Sequence, residues 1–592
     1  MREIENGELK SASLSQLKEL CGELREEILA TVSRCGGHLS SNLGAVELTV
    51  ALHRVFDFPH DKIVFDVGHQ CYAHKLLSGR AGAFGSLRQE GGLSGFPKRS
   101  ESEYDCYGTG HAGTAISAAL GFAKARDLKG EKGAVIALVG DGSFNNGLIY
   151  EALNSLKILN TRILIVLNDN GMSISETVGS MAAVLKEMRE GAEDADVIEG
   201  GMNAARRKGG EIAIPEDDVR LFEHFGLTYM GVVNGHDMGE LLASLERAKH
   251  ALEKGSVLLH VHTRKGYGHA FAERAPTETH GVGAGGGAEY SRALGEELTA
   301  LAEKDGRIVA VTAAMTDSLG LRGFFERFPE RAFDVGICEE HAAVLSASLA
   351  AAGMRPYYAI YSTFLQRAYD EVIHDVCAQN LPVVFCVDRA GVTGRDGETH
   401  QGVFDLSYLT PIPNLTIAVP KDISEFRAML RMSVHMDGPL AIRYPREGSE
   451  GAGMPENTVE IGKFEVLHST TSDIVLLAAG ERCLNIARRV LERAQNEGFN
   501  FTLVNARFVK PLDEGLLSSL NAHTVITIED NVLIGGLGDA VARFYRNSGK
   551  KVISFGYPDV FIPHGAPYDL MREYGLDEER ILACVRENDA RR

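Results

Sequence analysis

Apolar and polar positions along the chain follow two repeats. Short runs dominated by valine, isoleucine and leucine occupy 134–139, 163–167, 308–312, 383–387, 416–419, 474–478, 502–504, 525–528 and 552–555. Runs of this length and make-up read as strands buried on both faces, as in parallel sheets. Longer stretches of helical spacing lie at 14–32, 46–56 and 148–159, and the small-residue run 342–353 reads as a closely packed helix. A Gly/His/Ser/Asn loop is expected at 36–44. Strand and helix alternate through Thr263, again from about Tyr290 to Pro445-Arg446, and a third time from about Lys463. That alternation predicts an α/β protein of three parallel-sheet domains, 1–287, 288–455 and 456–592. Two segments break the rhythm. Residues 186–218 are rich in charge and glycine and read as a mobile excursion, and the histidine- and glycine-bearing piece 265–287 reads as a link between domains.

Bulk properties narrow the function. The 592 residues carry a formal net charge of −20, which argues against nucleic acid and anionic membranes as partners. The nine cysteines form no CxxC pair, there is no apolar signal core at the start, and no apolar run is long enough to span a membrane. A cytoplasmic protein is expected.

The chemistry concentrates where strands end. Gly140-Asp141-Gly142 follows the run 134–139, and Asn168-Asp169-Asn170 follows 163–167. Carboxyl ends of strands are where open α/β sheets bind ligands. One turn rich in Gly, Asp and Asn would mean little; two, with a helix between, are specific. A carboxylate and a carboxamide there make a hard-oxygen site suited to magnesium shared with phosphates. The dinucleotide pattern G-x-G-x-x-G does not fit residues 140–147. His38, His69, His74, His111 and His280 fall in loop-like contexts that suit proton transfer. One such histidine is usually a surface or capping residue; five together point to a site. Glu339 opens a helix, which suits the dipole, or else is a buried carboxylate with a raised pKa. Arg367, Arg389, Arg443 and Arg446 are candidates for an anion clamp, and 389–402 is a long glycine-rich loop after a strand.

These motifs together resemble the 1-deoxy-D-xylulose-5-phosphate synthase family of the transketolase superfamily. The resemblance runs almost end to end. It rests on Gly37-His-Leu-Ser-Ser-Asn-Leu-Gly44 through His53, Asp66-Val-Gly-His-Gln70, Glu101-Ser-Glu-Tyr-Asp105, Leu167-Asn-Asp-Asn-Gly-Met-Ser-Ile-Ser175, Tyr361 through Asp370, and Asp388 through Gly402. It implies a transketolase-type fold, with two thiamine-diphosphate-binding domains and a C-terminal domain, and the cofactors thiamine diphosphate and Mg2+. Asp141, Asn170 and the Met172 carbonyl would hold the metal. His69, Gly110, His111, Gly140, Gly142, Ser143 and Arg367 would help bind the coenzyme. Glu339 would pair with its aminopyrimidine ring, on which Phe364 would stack. His38, His69, His111, His280 and His400 would line the substrate channel. Ser41, Tyr361, Arg389, Asp396 and Arg446 would engage substrate, the arginines at its phosphate. The implied reaction decarboxylates pyruvate and joins the two-carbon unit to glyceraldehyde 3-phosphate, an entry to isoprenoid, thiamine and pyridoxal precursors. Family members place the coenzyme between the first two domains of one chain and act as homodimers. The alternatives are a synthase-like paralogue or transketolase with another acceptor or a ketose donor, and a silent coenzyme-binding protein that would lack Asp141 or Glu339. Departures from the family pattern include Ala112-Gly113 after His111, Ser143 after Gly142, Asn234 within 231–237, Glu340 after Glu339 and Glu447 after Arg446.

Overall fold

The computed structural model describes residues 6–173, 177–199, 216–283, 287–451 and 459–589. They fall into two compact units: one reaches from the start to 283 and includes Gly336–Cys338, and the other holds the remainder.

The first unit is built on five strands: β1 (Lys62–Phe65), β2 (Val135–Gly140), β3 (Leu164–Asp169), β4 (Leu227–Asn234) and β5 (Ser256–His262). All pair in parallel in the order β1-β2-β3-β5-β4. Successive side chains of one strand serve opposite cores. Ile136 and Leu138 of β2, with Leu164 and Val166 of β3, face the helices Leu14–Cys35, Val46–Val55 and Met238–Ala251. Val135, Ala137 and Val139, with Ile165 and Leu167, face Ala115–Lys129 and Gly147–Leu159. This two-sided burial explains why the strands read as unbroken apolar runs.

Local signals set several ends. Ser13 and Gln16 form a reciprocal capping box at the start of Leu14–Cys35. That helix outlasts the predicted 14–32 and stops where Gly36 takes a φ of 75°.

Three expectations need correction. The loop at 36–44 contains a short helix, Ser40–Gly44. The link 265–287 carries the helix Ala270–Arg274 and a bridge from Val282 back to Gly37. The segment 186–218, expected to be mobile, opens inside the helix Ser180–Glu199, where Leu185 and Met188 are fully buried. Met181, Val184, Leu185 and Met188 have helical spacing, which the surrounding charges masked. Residues 200–215 of that segment lie outside the described residues.

The second unit holds two sheets. Its strands are β6 (Ile308–Thr312), β7 (Ala332–Asp334), β8 (Arg355–Tyr361), β9 (Val384–Asp388), β10 (Thr416–Ala418), β11 (Leu440–Arg443), β12 (Glu465–His468), β13 (Ile474–Ala479), β14 (Thr502–Asn505), β15 (Phe508–Lys510), β16 (Thr524–Val532) and β17 (Lys551–Tyr557). One sheet runs β15-β10-β11-β9-β8-β6-β7, parallel except for β15. The other runs β12-β14-β13-β16-β17, parallel except for β12. Thus β15, from the third sequence region, completes the sheet of the second. Val475, Leu477 and Ala479 of β13 join the core of that sheet, while Ile474, Leu476 and Ala478 face a separate core. The shared core and the shared strand make one unit of these two regions.

Arg443, at the end of β11, pins this arrangement. Its Nε donates to both oxygens of Asp405 at 2.8 and 2.9 Å, and its Nη2 donates to the Asp530 carbonyl at 2.5 Å. Both partners' side chains are buried. Arg443 was a candidate anion clamp from its sequence position; its charge is instead consumed by Asp405. Removing one partner of such a pair strands the other charge in a low-dielectric interior. Arg443→Met should therefore cost about 3–5 kcal/mol, read as a lower urea midpoint, and adding Asp405→Leu should recover part of the loss.

Candidate active site

The carboxyl ends of β2 and β3 bring the first group of residues together. Register pairs Gly140 with Asn168 across the two strands, so the residues that follow are neighbours. Asp141 opens a four-residue helical turn and is buried. Its carboxylate accepts from the Asn170 N–H at 3.3 Å and from the Thr177 hydroxyl at 2.8 Å. Asn170 Oδ1 in turn accepts from the Met172 N–H at 3.1 Å. The charge balance here is uneven. Asp169, the next carboxylate, is held below its ordinary pKa against its burial by His260, 2.8 Å away, and by Arg189 of the helix Ser180–Glu199. Among the described residues no cation bonds Asp141 directly, and Arg189 and Lys265 reach it only through their fields. Burial, and then the charge of Asp169, push it up to about 7. Two neutral donors do not satisfy a buried carboxylate, so this is a place where a cation fits. Lys265 lies close by, buried, donating to the Ser173 carbonyl, its pKa brought down to about 8 by burial against the pull of Asp141.

A second group packs around three histidines. The rings of His38, His69 and His280 lie 5.4 Å apart in every pairing. The Ser41 hydroxyl is 3.4 Å from His280 Nδ1. Burial and the neighbouring positive groups lower the His280 pKa well below the ordinary value, so it is neutral at pH 7. Asn42 knits the cluster: its Nδ2 donates to the carbonyls of His38 at 2.6 Å and His69 at 2.7 Å, while its Oδ1 accepts from the Tyr72 N–H at 2.9 Å. Gly110, His111 and Ala112 precede the helix Ala115–Lys129. Asp66, at the end of β1, holds that approach by accepting from the N–H groups of Gly113 at 2.8 Å and Ala115 at 3.0 Å. Gly113 itself has φ 87°, and a Cβ there would lie 2.3 Å from Asn146 Oδ1. His74, read as one of the loop histidines, does not belong here. It is buried in the helix Tyr72–Lys75, 2.9 Å from His53 and 3.0 Å from Asp105. Asp105 also binds Arg80, which makes this a structural ion network.

The second unit gathers the remaining predicted residues around β8 and β9. Glu339 begins the helix Glu339–Ala351 and is buried. Arg367 Nε lies 3.1 Å from Glu339 Oε2, but without hydrogen-bond alignment. Burial outweighs that guanidinium and pushes Glu339 up to about 7. Phe364 stacks on Tyr361 at 5.6 Å and meets His400 edge-on at 5.7 Å. The Arg389 guanidinium lies 4.1 Å above the Tyr361 ring and donates to Asp388 at 2.7 Å. Arg446 Nε is buried with no hydrogen-bond partner among the described residues.

Comparison with known proteins follows the same outline. The family model described as 1-deoxy-D-xylulose-5-phosphate synthase matches residues 2–263, the transketolase pyrimidine-binding domain matches 287–450, and the transketolase C-terminal domain matches 462–581. A 1-deoxy-D-xylulose-5-phosphate synthase of Clostridium tetani is 45% identical over 98% of this chain and 97% of its own length. The chain belongs to the 1-deoxy-D-xylulose-5-phosphate synthase family. A Desulforudis audaxviator member is 47% identical over 99% of this chain and 96% of its own length, and the 1-deoxy-D-xylulose-5-phosphate synthase 1 of Geobacter metallireducens is 45% identical over 98% and 97%. Among the described residues no helix is long and apolar enough to cross a membrane.

Sequence reasoning passed over Lys265, Arg189, Asn42 and Asp388, all of which contact the family residues above or lie among them. Lys265 follows β5 directly, a strand-end position that could have marked it. The others act through tertiary contacts that spacing does not reveal.

The burial of Glu339 carries a pH signature. A carboxyl raised in the folded state binds its proton more tightly there than in the unfolded chain. Its contribution is full at or below the ordinary carboxylate range and is lost as pH rises from there through about 7. Glu339→Gln removes that titration. Without added ligands, the variant's unfolding temperature minus the wild type's should grow by roughly 2–4 °C between pH 5 and 8, measured by scanning calorimetry. A difference that stays flat contradicts the burial assigned to Glu339.

Proposed function

We propose that the chain is a thiamine-diphosphate-dependent 1-deoxy-D-xylulose-5-phosphate synthase, releasing carbon dioxide from pyruvate and joining the two-carbon unit to D-glyceraldehyde 3-phosphate. The observation that carries this reading is near-full-length identity to family members with Asp141, Asn170, Glu339 and the histidines all in place. The donor chemistry fits the coenzyme. Asp141 is a buried carboxylate short of positive charge, Asn170 stands beside it, and Arg446 Nε has no hydrogen-bond partner among the described residues.

Each residue then has a task. Asp141, the Asn170 carboxamide and the Met172 carbonyl would hold Mg2+, and Lys265 would add positive charge toward the coenzyme's diphosphate. Gly140, Gly142 and Ser143 give the backbone close approach, with Gly110, His111 and His69 alongside. Glu339, protonated up to about pH 7 by burial, would hold a proton for the aminopyrimidine ring of the coenzyme. Arg367 positions that carboxyl, and Phe364 offers its ring for stacking. Thiamine diphosphate, when bound, supplies the electron sink for loss of carbon dioxide. His280, neutral at physiological pH, can accept a proton, and His38, His69, His111 and His400 would move protons to and from substrate oxygens. Ser41, Tyr361 and Asp396 bind substrate hydroxyls, while Arg389 and Arg446 receive the acceptor phosphate. The same reading makes the protein a cytoplasmic homodimer.

The departure at Glu447, an acid beside Arg446 where glycine is usual in the family, favours testing a second reading, a paralogue with another acceptor. With thiamine diphosphate and Mg2+ present, carbon dioxide release from labelled pyruvate should accelerate on adding D-glyceraldehyde 3-phosphate. A different aldehyde that accelerates it more would establish the paralogue. Turnover of xylulose 5-phosphate without pyruvate would establish a transketolase, and no release with any aldehyde would defeat the reading. Glu339→Gln should slow release about 10²–10⁴-fold while the protein stays folded. In a thermal-shift assay, Mg2+ with thiamine diphosphate should raise the unfolding temperature of the wild type and leave that of Asp141→Asn nearly unmoved.

A further inference from the structure

The loop that carries three of the proposed substrate residues is fastened to the third sheet region as well as to its own sheet, where Tyr444, Thr363 and Ser291 hold it. It leaves β9 at Arg389, whose φ is 55°, and returns at Gly402. Its base closes by the Gly391–Gly402 bridge, with N···O distances of 2.6 and 2.8 Å. Immediately beyond that closure, Asp530 of β16 accepts from the Val392 N–H at 3.1 Å. Arg482 donates to the Val392 carbonyl at 2.7 Å and stands 3.4 Å from Asp530 Oδ2. The Tyr557 hydroxyl of β17 donates to Asp530 Oδ1 at 2.5 Å. The fit leaves no slack: Gly391 has φ 79°, and a Cβ there would lie 1.9 Å from Asp530 Oδ2. Further along, Gln401 accepts from the N–H groups of Thr393 at 2.7 Å and Gly394 at 3.1 Å, and donates to the Pro563 carbonyl at 3.0 Å.

The cluster lies in a mostly apolar interior, with side-chain exposures of 10% for Arg482 and 6% for Asp530. A buried charged group of this kind is poor value for stability alone, since an apolar replacement of the same shape often serves as well. What a charge-assisted bond to one backbone N–H does supply is a fixed backbone position. The fixed backbone here is the root of the loop bearing Arg389, Asp396 and His400.

We propose that Asp530, with Arg482 as its partner, is a positioning residue for the acceptor loop 389–402, so that the third sheet region governs affinity for the phosphorylated aldehyde. The inference rests on the function proposed above. Asp530 touches neither pyruvate nor coenzyme in this scheme. Loosening it therefore affects acceptor binding and leaves the first half-reaction alone.

The test separates the half-reactions. In Asp530→Asn and in Arg482→Met, the KM for D-glyceraldehyde 3-phosphate should rise roughly tenfold, the effect of losing one buried charged hydrogen bond. Carbon dioxide release from pyruvate without aldehyde should stay within about twofold of wild type. Preference for the phosphorylated over the unphosphorylated aldehyde should fall in parallel. Two outcomes overturn the inference: an unchanged KM in a folded variant, or equal loss of both half-reactions with a lowered unfolding temperature. Arg482→Met keeps the test open if Asp530→Asn does not fold, because Arg482 sits at the start of a helix and not within a strand. A wild-type protein whose carbon dioxide release gains nothing from the aldehyde phosphate defeats the functional reading itself. That result is visible before any variant is made.

Discussion

Two carboxylates buried at adjoining strand ends cannot both remain charged unless positive charge is brought to them. Asp141 and Asp169 meet this condition unequally. His260 and Arg189 serve Asp169, while Asp141 receives an N–H and a hydroxyl. The remaining demand for positive charge is what the proposed divalent cation would meet. The parallel order of β2 and β3 sets the turns side by side. The helix Ser180–Glu199 delivers Arg189. The stretch after β5 delivers Lys265. Arg189 is spent on Asp169, while Lys265 is buried on a carbonyl within the field of Asp141.

The second unit repeats the logic with one carboxyl. Glu339 starts a helix of small residues that packs close to its neighbours, and its burial keeps it protonated at a pH where free carboxyls are ionised. A carboxyl of this kind both donates and accepts a proton without leaving its place. In the same unit, Arg389 has its charge balanced by Asp388 and its plane set by Tyr361, so the fold itself settles its orientation. Pre-set geometry of this kind is what carboligation needs, because the acceptor must meet a short-lived partner in one orientation.

Much of this was legible in the sequence. The strands 308–312 and 474–478 were readable to within a residue because burial on both faces leaves no polar position to confuse them. The Gly140–Asn170 pair was readable because strand-end position and residue type agree. The helix Ser180–Glu199 was not, since the charged residues in its sequence outnumber Met181, Val184, Leu185 and Met188, the first two of which are only partly buried. His74 and Arg443 show the opposite failure. Their residue types suit catalysis and phosphate binding, yet buried partners distant in sequence, Asp105 and Asp405, claim both. Asn42 lay within a recognised motif, but nothing in its spacing tells that it ties the His38 and His69 backbones together. Contacts made across tens of residues decide which polar side chains remain available for chemistry.

The cation at Asp141 is the claim on which the remaining assignments stand. Crystals of the protein grown with Mn2+ and thiamine diphosphate would test it through the anomalous signal of manganese. The account predicts one strong peak within coordinating distance of the Asp141 carboxylate and the Asn170 carboxamide. Bound coenzyme with no peak there, or with its metal on a different set of side chains, would contradict it.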